Sequence, residues 1–249
     1  AMDLSNEGSY GMTAESTSMG YLPSNHVNLI DFSDTNKPKI TRMKNMNYLR
    51  SAHDSVLLPN GDVFVHGGVS FRENTNNFYD KNFSVLKPEI YSFKKNQWKV
   101  MSEGRFRRNY HSAALLLTDG SVLVGGGDVW NVEVFYPPYL FEKIEDNKTT
   151  LAKRPKIQEI DSTLLRGENI LSTNNIEDVA RITLLSTGST THNQNAEMKF
   201  SEIKFEKFEN NKIKFFIEED KKVLQKGTYM VFLINQKGVP SKGAITFID

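Results

Sequence analysis

The sequence of 249 residues predicts an all-β protein. Short runs rich in Val, Ile, Phe and Tyr recur between clusters of Gly, Asn, Asp and Lys, which is the pattern of antiparallel strands and turns. Apolar residues with helical periodicity are almost absent. A unit of strand, turn and strand also occurs twice, so we expect the strands to form repeated sheets.

The repeated unit starts at Arg50 and again at Arg108, as RSAHDSVLLPNGDVFVHGG and RNYHSAALLLTDGSVLVGGG. Each copy has a histidine three residues after the arginine, an apolar strand, an Asn-Gly or Asp-Gly turn, a second strand and a glycine pair. Asn-Gly and Asp-Gly supply the positive φ angles that a tight hairpin needs. We expect the glycine pair where neighbouring backbones crowd.

Further strands are predicted after the first copy at PEIYSF, residues 88–93, and QWKVM, residues 97–101. Four strands in a repeat of about 50 residues are typical of the kelch blade of a β-propeller. NHVNLIDF, residues 25–32, is predicted to be an outer strand of a preceding blade. The sequence thus predicts a partial kelch β-propeller of about two to three blades. Because propellers usually have four to eight blades, this chain is either part of a longer one or a partial ring with open edges.

A second domain is predicted to follow the propeller blades. The polar stretch EKIEDNKTTLAK, residues 142–153, is interpreted as a linker, and RPKI, residues 154–157, as the start of new strands. Beyond it, apolar runs separated by the turns ENNK, residues 209–212, and QKG, residues 236–238, fit a β-sandwich. We therefore assign residues 1–150 to the last blades of a propeller and residues 151–249 to an immunoglobulin-like sandwich.

The composition excludes several classes of function. Lys and Arg total 31 against 30 Asp and Glu, so the basic surface of a protein that binds nucleic acid or an anionic membrane is not expected. No window approaches the roughly 20 apolar residues of a membrane span, and the first residues lack the features of a signal peptide. With 0 Cys, the chain has no disulfides, thiolate zinc sites or cysteine nucleophiles. The expected partners are neutral or small.

The adjacent Tyr110 and His111 precede the apolar strand of the second copy. A histidine at this position of a blade commonly bonds to neighbouring backbone, and this is our interpretation of His53 in the first copy. Imidazole and phenolate are also ligands that suit Cu(II). His192 lies among small polar residues, where a loop histidine is usually solvated. From the residues alone, the structural and the metal-binding interpretations both stay open.

Seven motifs in one order resemble the C-terminal part of galactose oxidase and glyoxal oxidase, which are copper-radical oxidases. They are LPNGDVFVHGG (58–68), PEIY (88–91), YHSAALLLTDGSVLVGGGD (110–128), FYPPYLF (135–141), RPKI (154–157), TGSTTHNQN (187–195) and GTYMVFLINQKGVPS (227–241). Single glycine pairs are common to all kelch proteins, whereas the order of the seven motifs is specific and extends over nearly the whole chain.

The resemblance implies a seven-bladed propeller and an immunoglobulin-like domain, with copper near the propeller axis held by two tyrosines and two histidines. It implies that Tyr110 is the axial tyrosinate, which takes the hydroxyl proton of the substrate. It further implies that His111 is one equatorial imidazole and that His192 is the other, on a loop that reaches into the propeller. The radical tyrosine, crosslinked to a cysteine, would lie in blades upstream of this chain, so we expect the chain alone to be inactive.

Three functional hypotheses follow. The leading one is the C-terminal part of a secreted copper-radical oxidase that oxidises a primary alcohol, aldehyde or carbohydrate with O2 and produces hydrogen peroxide. The second is a non-catalytic kelch protein that binds glycans or proteins. The third is a family member with a structural or vestigial metal site. A cysteine and a tyrosine in the missing N-terminal blades would favour the oxidase.

Overall fold

A computed structural model describes residues 2–3, 23–34, 36–70, 81–145, 148–221 and 224–249. The regular structure of these residues is almost entirely β-strand, and its short 3-10 helices include Lys81–Phe83 and Pro138–Leu140. The prediction of an all-β protein is confirmed. In the described ranges, no helix has the length and apolar character needed to cross a membrane.

The described residues before 141 form three antiparallel sheets. The first contains β1 (Met2–Asp3), β2 (Asn28–Asp31) and β3 (Lys39–Arg42). The second contains β4 (Ser51–Leu57), β5 (Val63–Val69), β6 (Glu89–Ser92) and β7 (Gln97–Val100). The third contains β8 (Ser112–Leu116), β9 (Val122–Gly126) and β10 (Val132–Phe135). The strands predicted within residues 25–32, 88–93 and 97–101 are confirmed, while the number of propeller blades stays a prediction.

The two repeat copies share the geometry of their turns. Gly61 donates its backbone N–H to the carbonyl of Leu58 at 2.9 Å, and Gly120 donates to the carbonyl of Leu117 at the same distance. Both glycines have positive φ, at 91° and 82°. Since these angles favour glycine, the Asn-Gly and Asp-Gly signals identified the hairpins correctly.

The stretch interpreted as a linker contains a hairpin of β11 (Phe141–Lys143) and β12 (Thr149–Leu151). The predicted linker thus contains regular structure, and the domain boundary stays a prediction. Most of the strand residues are exposed, so the hairpin pairs its own backbone without the apolar alternation that marks a half-buried strand. The assigned boundary after residue 150 falls inside β12.

Two sheets pack face to face in the remaining part of the chain. One has the order β13 (Ile157–Ile160), β15 (Gly167–Thr173), β21 (Lys212–Ile217), β20 (Phe205–Lys207). The other has the order β14 (Thr163–Leu164), β23 (Ala244–Ile248), β22 (Gly227–Asn235), β16 (Val179–Ser186), β19 (Phe200–Ile203). Leu171 and Phe215 of the first sheet and Ile182 and Val231 of the second share one buried core. A separate hairpin consists of β17 (Ser189–Thr191) and β18 (Gln194–Ala196).

The two-sheet unit holds the turns of both repeat copies. At the first turn, Thr183 donates its hydroxyl to the carbonyl of Pro59 at 2.8 Å. At the second, the backbone N–H of Gly243 donates to the carbonyl of Thr118 at 2.6 Å. The β17–β18 hairpin extends from the same unit along the neighbouring strands β4 and β8, where Thr190 lies beside the carbonyl of Ala114. The tip of this hairpin therefore approaches the ends of β4 and β8 that lie away from the turns.

Candidate metal centre

The structure brings together the three residues that the sequence suggested as metal ligands. Tyr110 and His111 end the loop before β8, and His192 lies at the tip of the β17–β18 hairpin. The ring centroids of Tyr110 and His111 are 3.9 Å apart, and those of His111 and His192 are 4.9 Å apart. The rings of Tyr110 and His192 are separated by 6.1 Å. Side chains from two segments that are distant in the sequence thus form one cluster.

Both imidazoles are presented from left-handed backbone. Thr191 pairs with Gln194, so His192 and Asn193 form a two-residue turn with φ of 51° and 61°. His111 also has a positive φ, of 63°. This conformation is uncommon for a non-glycine residue and is often found at functional sites. The two histidines that the resemblance indicated as ligands are both in this conformation.

Glycines of the first copy fix the loop that carries Tyr110 and His111. The N–H of Gly68 donates to the carbonyl of Arg108 at 2.7 Å. A Cβ at Gly67, which has φ of 72°, would lie 2.1 Å from the same carbonyl oxygen. The predicted crowding of backbones at the glycine pair is confirmed, and it occurs directly before the candidate ligands.

The donor set of the cluster fits copper. The described residues include no group of three or more His, Cys, Asp or Glu side chains that could hold a metal ion, so a third donor beside the two imidazoles would be the phenol of Tyr110. Two imidazoles and a phenolate suit the tetragonal coordination of Cu(II). The Nδ1 of His192 lies 2.6 Å from the hydroxyl of Thr191, and in the tautomer whose Nδ1–H donates to that oxygen, Nε2 would be the nitrogen left for a metal. His111 and His192 are exposed, so an ion can reach them.

A chain of polar residues that was not predicted from the sequence lies behind the three rings. The side-chain oxygen of Asn193 accepts the N–H of His111 at 3.2 Å, and its amide nitrogen lies 3.2 Å from the hydroxyl of Ser112. Ser112 donates in turn to a carboxylate oxygen of Asp54 at 2.5 Å. Asp54 and Ser112 follow the histidine in their respective repeat copies, so the repeat itself was the signal that placed them side by side.

Asp54 lies beside His66, with 3.6 Å between a carboxylate oxygen and Nε2. Burial raises the pKa of Asp54 to about 7, against the opposing effect of the hydrogen bonds from Ser112 and Asn193. Burial, together with the nearby charges of Arg50 and Arg108, lowers the pKa of His66 to about 3. Both groups are therefore neutral around pH 5, and they do not form an ion pair there.

Comparison with known proteins connects both parts of the chain to one group of enzymes. Residues 10–140 match the family described as "Glyoxal oxidase N-terminus", and residues 154–248 match "Galactose oxidase-like, Early set domain". Galactose oxidase of Gibberella zeae is 26% identical over 228 residues, which cover 87% of this chain and 32% of that protein. An aldehyde oxidase of Arabidopsis thaliana is 26% identical over 222 residues, which cover 78% and 35%.

A solved structure shares the fold. A fungal alcohol oxidase in complex with copper superposes with a TM-score of 0.80 at 24% identity, over 92% of this chain and 49% of that one. The chain spans about a third of the length of the curated relatives it matches, since it covers 32% and 35% of two of them.

We expect the substitution Gly67→Ala to destabilise the protein by at least about 3 kcal/mol, because it adds both a clash with the Arg108 carbonyl and strain at positive φ. Gly238→Ala is the matched control, since φ there is 81° but nothing lies within 4 Å of the added Cβ. The control should cost only about 1–2 kcal/mol. Urea midpoints of the two variants measure the difference, and equal losses would contradict a close backbone contact at Gly67.

The Asp54 and His66 pair predicts opposite effects of pH in two variants. Between pH 3.8 and about 7, folded Asp54 keeps a proton that the unfolded chain releases, so its contribution to stability falls as pH rises. Between about pH 3 and 6.5, unfolded His66 binds a proton that the folded chain does not, so its contribution falls as pH drops. In the wild type, between pH 3.8 and 6.5, the contribution of Asp54 to stability falls with rising pH while that of His66 rises.

Relative to the wild type, Asp54→Asn should become more stable as pH rises from 4 to 6.5, and His66→Gln should become less stable. Each slope can reach about 1.4 kcal/mol per pH unit. Urea unfolding of both variants and the wild type across this range gives the two difference curves. Slopes of the same sign would show that the two groups do not titrate as described.

Proposed function

The chain belongs to the family of galactose oxidase and glyoxal oxidase, and on this basis we propose that it is the part of a copper-radical oxidase that supplies three of the four metal ligands. The proposed ligands are Tyr110, His111 and His192. The observation that carries the proposal is the convergence of these three rings from the β8 loop and the β17–β18 hairpin, at centroid separations of 3.9 to 6.1 Å. A phenol and two imidazoles from separate segments form a donor set suited to Cu(II).

Tyr110 has a second role in the proposal. Its phenolate oxygen takes the hydroxyl proton of a bound primary alcohol, which is general base catalysis at a metal centre. The stacking of its ring on His111 keeps the phenol beside the imidazoles. Copper, when bound, supplies a one-electron acceptor and lowers the proton affinity of its ligands. In the proposal, His111 and His192 bind the metal, the stack on His111 orients the phenol of Tyr110, and that phenol accepts the proton.

We propose a primary alcohol or aldehyde, including a carbohydrate, as the substrate and O2 as the co-substrate that becomes hydrogen peroxide. This class agrees with the names of the relatives, which are a galactose oxidase, an aldehyde oxidase and an alcohol oxidase. The exposure of both histidine ligands is consistent with direct approach of a small substrate. Secretion of the whole protein is part of the proposal and follows from the family.

The radical half of the site is proposed to come from N-terminal blades of the whole protein. A tyrosine crosslinked to a cysteine cannot be formed by this chain, which contains 0 Cys. A metal that accepts one electron cannot by itself complete a two-electron oxidation. The chain is therefore the ligand-bearing part of the site and is inactive alone.

Cu(II) binding tests the ligand assignment. We expect the wild type to bind one Cu(II) with an EPR spectrum that shows imidazole nitrogens, and His111→Ala and His192→Ala each to weaken binding by at least about tenfold, since each removes a direct ligand. His26→Ala, which removes a histidine outside the cluster, should have no effect. If Cu(II) binds the His111 and His192 variants as tightly as the wild type, the assigned site is wrong.

Peroxide formation tests whether the radical tyrosine lies outside this chain, as proposed. The chain loaded with Cu(II) and supplied with O2 and a primary alcohol or an aldehyde should give less than one peroxide per copper, because it lacks the second one-electron acceptor. A peroxidase-coupled assay measures this yield. Repeated turnover would show that the chain contains a complete active site.

A further inference from the structure

The side chain of Asn193 joins the two parts of the candidate metal centre. Asn193 follows His192 at the tip of the β17–β18 hairpin, and its Oδ1 accepts the backbone N–H of His111 at 3.2 Å. Its Nδ2 donates to the carbonyl of Asn109 at 3.3 Å and to the hydroxyl of Ser112 at 3.2 Å. One amide thus contacts the backbone or side chain of three residues in the loop that carries Tyr110 and His111.

The orientation of this amide is fixed by its partners. The N–H of His111 can only donate and the carbonyl of Asn109 can only accept, so Oδ1 must face the first and Nδ2 the second. The hydroxyl of Ser112 donates its proton to Asp54, which leaves its oxygen to accept from Asn193. Asp54 is 2% exposed, so this last partner is anchored in the interior.

Asn193 adds an anchor at the tip of a short hairpin whose strands already lie along β4 and β8. Each of its strands has three residues, and an isolated two-stranded hairpin is marginally stable at best. Along the hairpin, the hydroxyl of Thr190 lies 3.5 Å from the carbonyl of Ala114, which is a long hydrogen bond. The three shorter hydrogen bonds of Asn193 lie at the tip of the hairpin. Because Asn193 is the chain neighbour of His192, these bonds restrict the position of the imidazole.

We propose that Asn193 is a positioning residue of the metal centre, which sets the separation of the imidazoles of His111 and His192. This inference rests on the proposed function, because the separation matters only if both rings bind one metal. Asn193 acts through the backbone N–H of His111 on one side and through its peptide link to His192 on the other. It is not itself a ligand. Residues that orient metal ligands in this way typically change metal affinity by about 10- to 100-fold when they are lost.

The substitution Asn193→Gly tests the inference, because glycine tolerates the φ of 61° and only the side chain is lost. Asn210→Gly is the matched control: Asn210 is exposed, has φ of 59° and lies in the turn between β20 and β21. We expect Asn193→Gly to bind Cu(II) about 10- to 100-fold more weakly, with a changed EPR spectrum. Asn210→Gly should match the wild type in both.

A second measurement uses the metal-free chain. The backbone N–H of His111 should exchange with solvent faster in Asn193→Gly than in the wild type and the control, and NMR contacts between the rings of His111 and His192 should weaken. The inference is overturned if Asn193→Gly retains the Cu(II) affinity and the EPR spectrum of the wild type, whatever the exchange of the His111 N–H.

The two measurements distinguish the failure of this inference from the failure of the proposed function. If His111→Ala and His192→Ala do not weaken Cu(II) binding, the proposed copper site is wrong, and Asn193 cannot position it. The exchange of the His111 N–H then shows separately whether Asn193 docks the hairpin. If the histidine variants do lose Cu(II) while Asn193→Gly binds it normally, the ligand assignment stands and the positioning role is wrong.

Discussion

The candidate metal centre depends on one close backbone contact, between the carbonyl of Arg108 and the glycine pair of the neighbouring sheet. Gly68 donates to this carbonyl at 2.7 Å, and Gly67 leaves the space that a Cβ would fill. On the other side, the N–H of Gly127 donates to the carbonyl of His111 at 2.9 Å. The loop with Tyr110 and His111 is therefore held by the backbones of two sheets.

This fixed loop gives the hairpin of the two-sheet unit a place to dock. The unit is attached at the turns of both repeat copies, through Thr183 and through the N–H of Gly243, and it approaches the loop again through Asn193. Contacts at both ends of β4 and β8 constrain the orientation of the unit more strongly than contacts at one end. A metal bound by His111 and His192 would add a further link, and its binding free energy would stabilise the docked arrangement.

The sequence was sufficient for features that depend on local patterns. Strands β4 to β9 and their turns followed from apolar runs, Asn-Gly and Asp-Gly, and the candidate ligands followed from ordered motifs around Tyr110 and His192. The β11–β12 hairpin was missed because its strands are mostly exposed and carry no alternating pattern. The contacts of Asp54, Ser112 and Asn193 were missed because they join three distant segments. Of these, the pairing of Asp54 with Ser112 was accessible from the repeat, since the two occupy the same position in adjacent copies.

The burial of Asp54 explains why a tyrosine, and not this carboxylate, would complete the donor set. Asp54 is 2% exposed, and burial raises its pKa to about 7. A carboxyl group that keeps its proton over most of the acidic range is a weak metal ligand, because the ligand must be deprotonated. It is a suitable anchor for the hydroxyl of Ser112, and through that hydroxyl for Asn193. Tyr110 is only partly buried and stacks on His111, so burial does not remove its phenol from the candidate donor set. The interior acid would thus orient the candidate ligands, and the phenol of Tyr110 is the proposed oxygen donor.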